Sequence, residues 1–263
     1  MGGRALTRKE CEVIQRDLDK IVQWSDQWQM PFNLDKCKVM HFGTRNSNYS
    51  YKMRGEPLQV VSEEKDLGVI VSNDLKNSNQ CKAACKKANM MLGFIARNFE
   101  HKTPEVILSL YNSMVRPHLE YAVQFWSPRY RKDIELLERV QRRATKLVPS
   151  LRHKTYEERL KILNLYSMEK RRQRGDMIQV FKLLNKLDNV DHSSLFEIKT
   201  NSITRNNGLP LTAPRWRTDV GKHFFSGRIS QRWNELPAGV VSATTITCFK
   251  SRLDRHYQAT GML

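Results

Sequence analysis

Arg139, Arg142, Arg143 and Lys146 recur at i, i+3, i+4 and i+7, the spacing that gathers side chains on one face of a helix. At 1.5 Å per residue they make a ladder about 10 Å long, enough to meet two or three phosphates of one nucleic-acid strand. Arg129, Arg131 and Lys132 stand just ahead of it. Glu135 and Glu138 lie on the same helix, so a partly neutralised solvated face is the competing reading. Lys170, Arg171, Arg172 and Arg174 form a second basic cluster. It extends the ladder, solvates the first turns of its helix, or serves as a nuclear-localisation patch. Cys81 and Cys85 share a helix face at i, i+4, but no histidine or second cysteine pair completes a tetrahedral set, which points to free, half-buried thiols and no metal. The seven histidines show no H-x3-H pairing and no Gly-rich phosphate loop exists. No self-sufficient catalytic constellation emerges, and no cofactor is expected.

The overall charge agrees with the ladder. Forty-five Lys and Arg against 27 Asp and Glu give a net +18 over 263 residues, which favours a polyanion, RNA or DNA ahead of membrane or acidic protein. No base-reading module is visible, so binding without sequence specificity is expected. No uninterrupted apolar run approaches ~18 residues, so no membrane-spanning helix is expected, and the N-terminus carries no apolar signal segment. Five cysteines at 11, 37, 81, 85 and 248 leave one unpaired in any disulfide scheme. Reduced thiols in the nucleus or cytoplasm fit better.

These residues need elements to hold them. Residues 10–30 predict an amphipathic helix stopped by Pro31, with Trp24 and Trp28 on its apolar stripe. Val39–Phe42, Tyr49–Met53, Leu58–Val61 and Lys65–Val71 predict strands of a small antiparallel sheet, with a turn at Arg54–Pro57. From about Lys76 the periodicity is helical, over Ser78–Phe99, Pro104–Val115, Leu119–Trp126, Lys132–Leu147, Thr155–Leu163 and Ser167–Leu187. Asp188–Arg217, poor in apolar residues, predicts a mostly irregular linker before short helices at Val220–Trp233 and Thr247–Tyr257. The fold class is α+β and mostly helical. Three parts are expected: residues 1–75, residues 76–190, and a loosely attached basic region over 191–263.

Trp24…Trp28…Phe32-Asn33…Lys36-Cys37-Lys38-Val39-Met40 and Lys65-Asp66-Leu67-Gly68-Val69 resemble the end of the palm of LINE-type, jockey-like non-LTR retrotransposon reverse transcriptases. Leu110-Tyr111…Val115-Arg116-Pro117-His118-Leu119-Glu120-Tyr121 and Leu136–Ala144 resemble that family's thumb region, and Trp233-Asn234-Glu235-Leu236-Pro237…Phe249-Lys250…Leu253 its C-terminal tail. Jointly these cover nearly the whole chain. The resemblance implies that Asn33 turns the chain and that Lys36 is the nearest counterpart of a proton donor to departing pyrophosphate. It also implies that Leu67, Gly68 and Val69 form a primer-grip-like hairpin.

The family's aromatic-Ala-Asp-Asp box precedes the matching stretch, and this chain opens Met-Gly-Gly-Arg-Ala-Leu-Thr. Tyr121-Ala122-Val123-Gln124 looks like that box but replaces both carboxylates. A fragment of an RNA-directed DNA polymerase that keeps nucleic-acid binding is therefore expected. It would be inactive alone, with the missing polymerase half as a partner if the full protein exists, and Mg²⁺ would belong only to the intact enzyme. A repurposed basic helical interaction protein and a translated mobile-element remnant are the alternatives.

Overall fold

Thr7 and Glu10 start the first helix reciprocally: the Thr7 hydroxyl accepts from the Glu10 amide while the Glu10 carboxylate accepts from the Thr7 amide. The computed structural model describes residues 1–199, 207–212 and 215–261, in two compact units, Met1–Asn79 and Gln80–Leu263. The fold is α+β and mostly helical.

In the first unit, α1 (Arg8–Gln27) lays Cys11, Ile14 and Leu18 against Tyr51, Val39 and Leu58 to make a small core. Six short strands pair two by two: β1 (Lys38–Val39), β2 (Lys52–Met53), β3 (Glu56–Pro57), β4 (Gln59–Val60), β5 (Glu63–Asp66) and β6 (Val69–Ser72). Two pairs are antiparallel, β2 with β3 and β5 with β6, whereas β1 runs parallel to β4 with Val39 opposite Val60. The segment that reads as one strand over Lys65–Val71 folds back at Leu67–Gly68, with φ of 45° and 85°. Both values suit the tight two-residue turn whose twist matches a hairpin. Arg54–Gly55 turns β2 into β3 in the same way, with φ of 52° and 85°.

The second unit is helical: α2 (Ser78–Asn98), α3 (Pro104–Leu110), α4 (Arg116–Glu120), α5 (Val123–Trp126), α6 (Arg131–Thr145), α7 (Tyr156–Ile162), α8 (Met168–Leu184), α9 (Asp219–His223), α10 (Phe225–Asn234), α11 (Ala238–Val241) and α12 (Ile246–Ala259). Thr103, Thr155 and Ser167 cap α3, α7 and α8 through their hydroxyls. A π turn over Tyr111–Val115 joins α3 to α4. Pro117 follows at once; it has no N–H and its ring would press on the carbonyl four residues back, which a widened turn accommodates. The single helix expected over Leu119–Trp126 is instead two, because Ala122 takes φ 50° and reverses the chain between α4 and α5.

The C-terminal helices are not a loose tail. Phe225, Ile229, Trp233, Phe249 and Leu253 share one core with Met177, Val180 and Phe181 of α8, and the Phe181 and Phe249 rings stack at 4.3 Å. The expected linker contributes too. Phe196 and Leu211 are buried, and Asn234 donates to and accepts from the backbone of Leu211. Residues 200–206 and 213–214, which fall within that expected linker, lie outside the described residues.

Candidate nucleic-acid interface

α6 buries Leu137, Val140, Gln141 and Ala144 and leaves Arg139, Arg142, Arg143 and Lys146 exposed, so the ladder sits on solvent as its spacing requires. Its members then diverge. Arg142 lies over the Tyr156 ring at 4.7 Å, and Arg143 leans the other way, donating to Asn89 of α2 at 3.1 Å. Arg139 comes only to 4.0 Å of Glu135, which Arg131 holds at 3.2 Å.

The two flanks of α6 differ in charge. Towards α7 and α8 a groove of about 1290 Å³ is lined by Arg131, Arg139, Arg142, Lys161 and Lys170, but also by Glu135, Glu138, Glu157 and Glu169. Glu138 is occupied there, accepting from the Tyr156 hydroxyl and from the Met168 amide. Towards α2 the balance is one-sided. α2 runs 21 residues without an acid, and Lys86 and Lys82 stand three and seven residues before Asn89, on its column. Asp133, the remaining acid of α6, is buried. Sequence reasoning missed Lys82 and Lys86; the acid-free run was the signal that could have found them.

The second basic cluster is dispersed. Arg172 is 5% exposed with one guanidinium nitrogen unpartnered, and burial lowers its pKa against the pull of Glu138 and Glu169. A phosphate cannot reach it. Arg171 is held by Glu120, and Arg174 forks onto Asp254 at 2.6 and 2.8 Å. Only Lys170 faces the groove. Consecutive residues on a helix fan out by about 100° each, so this run could not point one way.

Cys81 and Cys85 are buried beside Arg172, and burial pushes their thiols up to about 12 and about 11. Both thiols are therefore neutral and poor nucleophiles. Among the described residues no group of three His, Cys, Asp or Glu side chains is placed to hold a metal ion. No helix among them is long and apolar enough to cross a membrane.

In the first unit, Asn33 accepts from the Asp35 amide and turns the chain into a 3₁₀ turn that presents Lys36 to solvent. Leu67 is 84% exposed at the tip of the β5–β6 hairpin, Gly68 completes the turn, and Val69 is buried. Of the tryptophans, Trp126 and Trp233 are core residues, but Trp24 and Trp28 are 49% and 61% exposed. No family model, curated protein or solved structure matches this chain.

Proposed function

We propose that this chain binds RNA or DNA through backbone phosphates, without base specificity, on the strip where α6 faces α2. The observation that carries this reading is the one-sided charge of that strip: Arg143 and Lys146 beside Lys82 and Lys86, with Arg139 between strip and groove, no exposed acid on α2, and the acids of α6 turned to the groove or buried. Lys132 joins the same column, seven residues before Arg139 and eleven before Arg143, so the strip from Lys132 to Lys146 extends about 21 Å and matches about six phosphates. Arg142 and Lys170 serve it from the groove edge. Arg171, Arg172 and Arg174 hold the fold instead.

The resemblance to LINE-type reverse transcriptases supports the same partner class. On that reading this chain corresponds to the part of the polymerase after its catalytic box. Leu67, Gly68 and Val69 then stand where a primer grip would, and Lys36 where a proton donor would. The turn at Leu67–Gly68 supports a hairpin there. The near-balanced groove supports a second reading, docking of a protein segment of mixed charge.

A salt titration of binding to an oligonucleotide tests the first reading. Affinity falls steeply with salt, and replacing Arg139, Arg142, Arg143 and Lys146 by Ala lowers the log–log slope by roughly 0.7–0.9 for each phosphate no longer neutralised. Lys82→Ala with Lys86→Ala lowers it further, whereas Arg172→Ala lowers the melting temperature and leaves the slope alone. An unchanged slope in the four-residue variant removes the strip from consideration. In parallel, primer extension with Mg²⁺ or Mn²⁺ is expected to show no incorporation, and template-directed extension would refute the non-catalytic reading.

A further inference from the structure

The cationic column of α6 does not stop at its first turn. The Lys132 ammonium lies 5.7 Å from the Tyr130 ring and the Arg129 guanidinium 4.8 Å from the same ring, with Arg129 donating to the Tyr130 hydroxyl at 2.9 Å. Tyr130 thus fixes two cations at the head of α6. Lys222 and His223 are exposed at the end of α9, and the Arg129 charge bears on the His223 ring.

Arg228 locks this junction. It forks onto the buried Asp176 at 2.8 and 3.0 Å, and it donates to the Gln124 carbonyl at 2.9 Å and to the His223 carbonyl at 3.3 Å. One guanidinium therefore ties α8, α5, α9 and α10 together. Its own charge is matched by Asp176, while Arg129, Lys132 and Lys222 make no ion pair among the described residues.

We propose that Arg129, Lys132, Lys222 and His223 form a second phosphate-binding locus continuing the α2–α6 strip, at which His223 takes up a proton when a backbone phosphate docks. The proposal rests on the nucleic-acid reading above and adds a locus and a pH dependence to it. The groups facing His223 are Arg129 from the segment before α6, Lys222 and Asp219 from α9, and Arg228 from α10. Partial loss of hydration, then Arg129 and Lys222, lower the His223 pKa below the ordinary imidazole value; Asp219 opposes them. In the free protein at neutral pH the ring is mostly uncharged. A phosphate placed among these cations reverses the local field and favours imidazolium, which then donates to a phosphate oxygen. The proton comes from solvent and no covalent bond changes.

The bound-state pKa exceeds the free one, so affinity rises as pH falls through the bound value and levels off below the free value. Each unit of difference is worth about tenfold in affinity. The test is fluorescence anisotropy with a labelled single-stranded oligothymidine, whose bases do not titrate in this range, at fixed ionic strength from about pH 5.5 to 8. Native chain, His223→Gln, Arg129→Ala with Lys222→Ala, and the four-residue α6 variant are compared. Binding that tightens as pH falls in the native chain, and is flattened by His223→Gln and by Arg129→Ala with Lys222→Ala, is the expected result. NMR titration of the His223 ring in the native chain, with and without the oligonucleotide, gives a readout that needs no variant to fold; its midpoint should move up on binding. No binding at any pH overturns both this proposal and the nucleic-acid reading. Binding that depends on the α6 ladder, with an unmoved His223 titration and the same pH profile in His223→Gln, overturns this proposal alone.

Discussion

Asp254 receives three hydrogen bonds, two from Arg174 and one from the Tyr166 hydroxyl at 2.5 Å. Burial raises its pKa, but those donors and the Arg174 charge outweigh burial and hold the carboxyl below its usual value. Its contribution to stability is therefore complete above the ordinary carboxylate value of about 3.9 and is lost as pH falls through the lower folded value. Asp254→Asn should cost about 1–3 kcal/mol at neutral pH, because Arg174 keeps its charge with a weaker acceptor. The penalty should shrink in acid, and urea denaturation at two pH values checks both. This pair explains what the sequence could not disclose. Arg174 lies 80 residues from Asp254, and Arg171 lies 51 from Glu120, so nothing local distinguishes an arginine with a distant carboxylate from one free to meet phosphate. The α6 ladder was legible because its neighbours in space are its neighbours in sequence.

Short elements were read less well than long ones for a related reason. α1, α2, α6 and α8 each repeat their apolar period over several turns, whereas the breaks at Leu67–Gly68 and Ala122 depend on one or two residues. Ala122 carries no left-handed preference, so tertiary packing decides that break. α9 and α10 show the opposite case, where glycine is required for close approach. A Cβ on Gly227 would collide with the Gly221 carbonyl oxygen and lie 2.6 Å from the Lys222 carbonyl oxygen and 2.8 Å from the Trp216 indole nitrogen, and one on Gly221 would collide with Trp216 Cε3 and lie 2.9 Å from its Cδ2. Those distances leave no room for a methyl group. Gly227→Ala should destabilise the second unit by about 1–3 kcal/mol, and Trp216 fluorescence should report its ring leaving the shelf. A melting temperature and emission spectrum matching the native chain would show that α9 can shift without penalty. Because α9 carries Lys222 and His223, the same substitution should also weaken oligonucleotide binding at low pH.

For the chain as a whole, the exposed aromatics of the first unit matter most. Trp24, Trp28, Met30 and Phe42 are all exposed there, and large apolar side chains that share one surface patch favour self-association. Sedimentation velocity should show concentration-dependent association, and Trp24→Gln with Trp28→Gln should abolish it while leaving the salt slope of nucleic-acid binding unchanged. A native chain that stays monomeric across the concentration range would count against that expectation. In the second unit the apolar surface is covered late in the sequence: the inner face of α8 is closed by Trp233 of α10 and by Phe249 and Leu253 of α12. During synthesis, a ribosome that has released α8 still has some sixty residues to add before Phe249 emerges, at about 5–20 residues per second. Met177, Val180 and Phe181 thus wait several seconds for Trp233, Phe249 and Leu253 during synthesis, an interval in which a chaperone that holds exposed helices would be expected to slow aggregation of the nascent chain.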